Sequence, residues 1–146
     1  MTTKKIENNN TGIILVVTYI VLFVVNSIII LLANTFFPLL AVLGTVHISE
    51  TWAIIHSVGA LTLINTFAIP FVREYEKRSN KMFGSKEWMG FYFVINFLGI
   101  WLLTRFADQL GFGVSSWLVI LVLALVLDLI QGIVMMQVEN IRIKQV

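Results

Sequence analysis

Four long apolar runs, nearly free of charge, restrict the folding of this chain more than any other feature of its sequence. A helix needs about 20 such residues to cross a hydrocarbon core roughly 30 Å thick. Residues 13–33 and 51–72 meet that requirement without a charge, residues 88–107 carry only Arg105 near their end, and residues 114–138 carry only Asp128. Lipid offers no hydrogen bonds to the backbone, so each run must satisfy its amides internally, as a helix. The expected class is an all-α integral membrane protein with four transmembrane helices. Charged residues make up 12% of the chain, against roughly 25% in soluble domains.

A chain of 146 residues with most of its length in these runs has little left for a separate soluble unit. We divide it into a polar arm over residues 1–12, a membrane domain over 13–138 with a charged connection at 73–87, and a tail over 139–146. There is no cysteine, which excludes disulfides, thiolate metal sites, a cysteine nucleophile and a dithiol redox relay. Neither a G-x-S-x-G elbow, a Walker-type loop nor a pair of carboxylates is present. We expect a protein without enzymatic activity and without a cofactor. The charge pattern shows no nucleic-acid footprint, and the bilayer is the first partner.

Lys4 and Lys5 resemble the start of a signal peptide, but the apolar run that follows exceeds the usual 7 to 15 residues and no A-x-A-like site comes after it, so it is expected to be retained. The connection holds Arg73, Lys77, Arg78, Lys81 and Lys86 among Glu74, Glu76 and Glu87. Together with Lys4, Lys5, Arg142 and Lys144, these place nine of the ten Lys and Arg residues on one side of the membrane. The positive-inside rule then puts both termini in the cytoplasm. Recognition of an acidic lipid or a phosphate is the other reading of the basic connection, weakened by its interspersed acids. Trp52, Trp101 and Trp117 fall near the outer interface and Trp88 near the inner one, where amphipathic rings are favoured as anchors. Residues 34–46 carry no charge although they link two spans. They are expected to lie in the interface or on the outer helix ends, with a re-entrant turn around Pro38 as the alternative.

Shifting the chain by 70 positions sets Val24-Val25-Asn26 over Val94-Ile95-Asn96, with Ile30 over Ile100, Leu32 over Leu102 and Phe36 over Phe106. Ile48-Ser49 and Val114-Ser115 follow, then Trp52 and Trp117 near the start of the next helix. This pattern predicts a helical hairpin used twice in parallel, about an axis along the membrane normal. Asn26, Asn65, Asn96 and Asp128 each lie near the middle of a span, with Gln131 one turn after Asp128. Asparagine bonded between membrane helices contributes about 0.6 to 2 kcal/mol, which makes structural glue the leading role for this polar set. Asp128 is the exception, because an ionised group at mid-bilayer costs about 2.5 to 3.5 kcal/mol and so points to a proton or ion path, or to an oligomer contact.

His47, Glu50 and His56 suggest a metal site only loosely, since their spacing is not that of a zinc motif, and we expect no metal. At 3.6 residues per turn, His56 and Asn65 fall on opposite faces of their helix. Ala53, His56, Ser57 and Ala60 form a small-residue strip suited to close helix packing. Met135 and Met136 read as filler or lipid-facing residues.

The asparagines of the odd-numbered helices, the stretch Leu63-Ile64-Asn65-Thr66-Phe67-Ala68-Ile69-Pro70 and the stretch Leu110-Gly111-Phe112-Gly113-Val114-Ser115-Ser116-Trp117 resemble bacterial four-span proteins of the phage holin superfamily IV. The charged connection at 73–87 departs from that pattern. The resemblance implies a small protein of the bacterial inner membrane and carries over no catalytic residue. Small size, duplicated helices and the absence of catalytic motifs lead us to expect a holin-like or envelope-associated protein, acting as a homo-oligomer or with another membrane protein. A small channel or proton-coupled transporter using Asp128, and a membrane scaffold or accessory subunit docking through residues 73–87, are the competing readings.

Overall fold

The computed structural model describes the backbone of residues 3–144 and the side chains of residues 12–137. Four long helices account for most of it: α1 (Thr3–Phe36), α2 (Glu50–Ser79), α3 (Ser85–Arg105) and α4 (Trp117–Lys144). Each contains a stretch long and apolar enough to cross a membrane: Gly12–Phe36, Glu50–Ser79, Ser85–Arg105 and Trp117–Gln137. Consecutive helices pack side by side, and α1 also touches α4, which closes the bundle.

At the charged end the helices overrun the limits set by hydropathy, because a helix ends where its backbone is capped and not where its side chains become polar, whereas α3 stops at Arg105, two residues short of the expected limit. α1 starts at Thr3, so the expected polar arm is helical from that residue. α2 continues past Pro70 to Ser79, where Asn80 (φ 51°) takes the left-handed conformation that stops it. The expected charged connection is therefore mostly helix: Arg73, Lys77 and Arg78 ride on the last turns of α2, and Lys86 sits in the first turn of α3. An ion pair of Arg78 with Glu74 at 3.1 Å supports the extension at i,i+4 spacing. Glu87 caps the start of α3 by accepting from the Gly84 amide at 2.7 Å and from Lys81 Nζ at 3.0 Å.

At the opposite end two three-residue strands depart from an all-helical reading. β1 (Ala41–Leu43) and β2 (Phe112–Val114) pair antiparallel, with Val42 opposite Gly113. The Gly44 amide donates to the Gly111 carbonyl at 2.7 Å and the Ser115 amide to the Leu40 carbonyl at 2.9 Å, adding one bond at each end. The uncharged segment 34–46 thus packs on the helix ends, as one of its two expected placements had it, and takes on strand structure there. It finishes α1, turns, and supplies half of a ladder whose partner satisfies its backbone. Asn34 holds the arrangement, accepting from the Leu43 amide at 3.0 Å and donating to Glu50 at 2.9 Å. Residues 112–114 belong to the ladder and α4 starts at Trp117, three residues later than the apolar run.

Between these ends lies a core of Ile30, Val58, Leu61, Ile100, Ala124 and Leu127, with Phe112 plugging it from the ladder side. Residues 23–30 and 93–100 show the same order of buried, half-buried and exposed positions, and so do residues 61–65 and 127–131. α2 differs from α4 in one local feature, a π-helical turn over Ile54–Val58. Such a turn accommodates one extra residue. Ser49 and Ser116 immediately precede their helices and stand 67 positions apart, whereas Asn65 and Gln131 stand 66 apart. Measured from these helix starts, Trp117 aligns with Glu50 and not with Trp52, which is the third residue of α2.

Candidate functional site

The helices bring a set of amides together at the middle of the bundle. Gln131 of α4 donates through Nε2 to Asn26 Oδ1 of α1 at 2.8 Å and accepts through Oε1 from Asn96 Nδ2 of α3 at 3.0 Å. Asn65 of α2 donates to Asn96 Oδ1 at 2.9 Å, and Gln131 Nε2 reaches that same oxygen at 3.5 Å. Asn26 Nδ2 donates to Thr62 Oγ1 at 3.1 Å, which brings α2 in a second time. Asn26, Thr62, Asn65 and Asn96 are fully buried and Gln131 nearly so. A buried amide without a partner is costly, and here most partners come from another helix, so the set fixes how far each helix is rotated and how deep it sits.

Four of the five residues singled out in the sequence therefore meet: Asn26, Asn65, Asn96 and Gln131. Asp128 does not join them. It is 5% exposed, one turn from Gln131 on the ladder side, and none of these bonds reaches it. Thr62 was missed by the sequence reading. Its signal was its place three residues before Asn65, on the same helix face. The Asn65 Oδ1, Ser27 Oγ and Thr66 Oγ1 atoms are buried with no hydrogen-bond partner.

The remaining candidates are scattered. Trp52, Trp101 and Trp117 are exposed at the ladder end, with Arg105 stacked over Trp101 at 4.8 Å. Trp88 lies at the charged end in an aromatic group with Phe83, Phe91 and Tyr92. His56 faces outward and stacks on Trp52 at 5.6 Å, away from buried Asn65. No group of three metal-ligating side chains occurs among the described residues. Of the small-residue strip, Ala53 and Ser57 are buried, and Ala53 packs against Gly111. Met135 is half-buried and Met136 exposed. The basic residues Arg73, Lys77, Arg78, Lys81 and Lys86 converge on one end of the bundle, where Lys81 and Arg78 are paired with acids.

A groove of about 400 Å³ runs between α1 and α4 on the ladder half of the molecule, lined by Ile29, Ala33, Phe36, Val122, Val126 and Ile130 among other apolar side chains. It contains none of the amides. No protein-family model, curated protein or solved structure matches this chain.

Proposed function

We propose that this chain is a non-enzymatic protein of the bacterial inner membrane, holin-like or envelope-associated, which acts as a homo-oligomer with both termini in the cytoplasm. In this reading the two hairpins are copies of one unit. The identical burial order of residues 23–30 and 93–100 supports the copy relation, as does the ladder, whose central pair Val42 and Gly113 would lie on the axis that exchanges the strands. The orientation rests on the clustering of Lys and Arg at one end of the helices.

The observation that carries the functional reading is the interlocked amide set. Asn26, Thr62, Asn65, Asn96 and Gln131 bond one another across the bundle centre, an arrangement suited to holding helices together and not to solvating a passing ion. Any lesion or pore would then form between copies of the chain. Exposed apolar side chains along every helix leave ample surface for such contacts.

The test is reconstitution in liposomes, with proton and dye leakage and oligomeric state measured in one preparation for wild type and Asp128→Asn. Leakage of large dyes from an oligomer, unaltered by the substitution, is the expected result. A folded protein that stays monomeric and leaks nothing would sink it and favour a scaffold docking through residues 73–87. A second reading, a proton-coupled channel or transporter, is favoured by one specific observation: Asp128 is buried outside the amide bonds. Proton flux lost in Asp128→Asn with insertion intact would select it.

A further inference from the structure

If the hairpins are copies, the amide set has a near-symmetry that it does not complete. The copy relation pairs Asn26 with Asn96, Asn65 with Gln131, and Thr62 with Asp128, the last two pairs each 66 positions apart. The two bonds that join one hairpin to the other obey it: Gln131 donates to Asn26 and Asn65 donates to Asn96, at 2.8 and 2.9 Å. The bonds within each hairpin do not. Asn26 donates one amide hydrogen to Thr62, whereas Asn96 donates one to Gln131, the counterpart of Asn65.

By the copy relation, the acceptor each asparagine uses has a counterpart in the other hairpin, which makes Thr62 and Asn65 the two acceptors for Asn26, and Asp128 and Gln131 the two for Asn96. The first hairpin uses one and the second uses the other. The acceptor passed over in the first hairpin is Asn65 Oδ1, which is buried and has no partner. The acceptor passed over in the second is the carboxyl group of Asp128, on a residue that is 5% exposed.

We infer that Asp128 is a proton-binding site inside the membrane, and that Asn96 exchanges its amide between Gln131 and Asp128 according to whether that proton is bound. The inference rests on the copy relation proposed above. A neutral acid has its own hydrogen to donate and leaves Asn96 on Gln131, as in this structure. An ionised carboxylate is a stronger acceptor than an amide oxygen and draws the Asn96 amide to itself, freeing Gln131 Oε1. The ionised state is then the symmetric one, since Asn96 on Asp128 is the image of Asn26 on Thr62. Throughout the exchange the bond from Gln131 to Asn26 persists, so the change stays inside the second hairpin.

No other charge competes for this role at that depth. Residues 22–33 of α1, 57–69 of α2 and 91–102 of α3 contain no Asp, Glu, Lys, Arg or His, and residues 121–134 of α4 contain only Asp128. The one further titratable group in those stretches is the Tyr92 hydroxyl, whose ring stacks on Trp88 towards the charged end.

Solid-state NMR of the full chain in liposomes, labelled at the Asp carboxyl carbons and Asn side-chain amides, tests the exchange across a pH series. In the wild type the Asn96 amide resonance is expected to move between two positions in step with the Asp128 carboxyl. Asp128→Asn should hold it at the low-pH position at every pH, and Asp128→Thr at the high-pH position. A carboxyl that titrates while the Asn96 amide stays fixed overturns the exchange and leaves the copy relation standing, as does a carboxyl that never titrates. A folded Asp128→Thr protein with Asn96 still on Gln131 overturns the copy relation, and the inference with it. Should Asp128→Thr fail to fold, the wild type and Asp128→Asn still decide whether Asn96 exchanges.

Discussion

The two seams between the hairpins carry nearly identical polar stitches and quite different packing. Asn65 bonds Asn96 where α2 meets α3, and Gln131 bonds Asn26 where α1 meets α4, at almost the same distance. Yet the first seam is closed and the second opens into the apolar groove. Two residues 70 positions apart stand at these seams, Gly99 at the first and Ile29 at the second. At Gly99 a Cβ would come within 2.7 Å of the Leu61 side chain, so α2 approaches as closely as it does only because glycine stands there. Ile29 of α1, 70 positions earlier, lines the groove. Lipid provides no hydrophobic drive between helices, so with nearly the same hydrogen bond at each seam, side-chain packing weighs heavily in whether the seam shuts. The polar bonds set register, and the small residues set spacing.

The largest expected disturbance of this comparison is at the ladder, where the hairpins differ in backbone as well as side chain. Gly111 has φ 79° and its Cβ would lie 2.6 Å from that of Ala53. Gly111→Ala should cost about 3 kcal/mol, since a left-handed conformation alone costs roughly 1 to 2 for an L-residue and the clash adds to it. Reversible unfolding in bicelles measures it, and a loss under about 1 kcal/mol would mean that the ladder can shift to make room.

Next comes the centre. Asn96 takes part in bonds with both Asn65 and Gln131, and Asn96→Ala should lower stability by about 2 kcal/mol at membrane bond strengths. Asn26→Ala should cost less, because Gln131 Nε2, on losing Asn26 Oδ1, still has Asn96 Oδ1 at 3.5 Å, and the Thr62 hydroxyl loses only a donor to its oxygen. Equal losses would show that the set has no centre at Asn96.

Gly99→Ile copies the open seam onto the closed one. The atom it strikes is the far end of a flexible side chain, so the cost should be about 1 kcal/mol, at the low end of overpacking. A lipid-phase quencher should then reach a spin label near Leu61, and no gain in access would detach Ile29 and Gly99 from the difference between the seams. The smallest effect belongs to the charged end. Arg78→Ala and Lys81→Ala remove ion pairs whose side chains are 57 to 80% and 43 to 71% exposed, and each should change stability by less than about 0.5 kcal/mol.

Much of this was legible in the chain and some was not, for separable reasons. The four spans could be read because hydropathy reports the solvent directly. Their ends could not, since the last turns of α2 keep helical hydrogen bonds although Arg73, Lys77 and Arg78 are polar. The strands escaped notice because three residues are too few to show alternation, and each depends on a partner about 70 residues away. Asn26, Asn65, Asn96 and Gln131 stood out as amides in apolar helices. Thr62 did not, because a hydroxyl can bond its own helix and so signals nothing by its presence.

The sequence by itself determined that four helices form, roughly where they lie, and that their middles are polar, because lipid forces each backbone to satisfy itself and every amide there demands a partner. Which amide meets which, the exclusion of Asp128 from their bonds, the joining of Ala41–Leu43 to Phe112–Val114, and the closing of one seam and not the other were decided only in the tertiary structure. These depend on the rotation and approach of whole helices, which are set by the fit of side chains from distant parts of the chain.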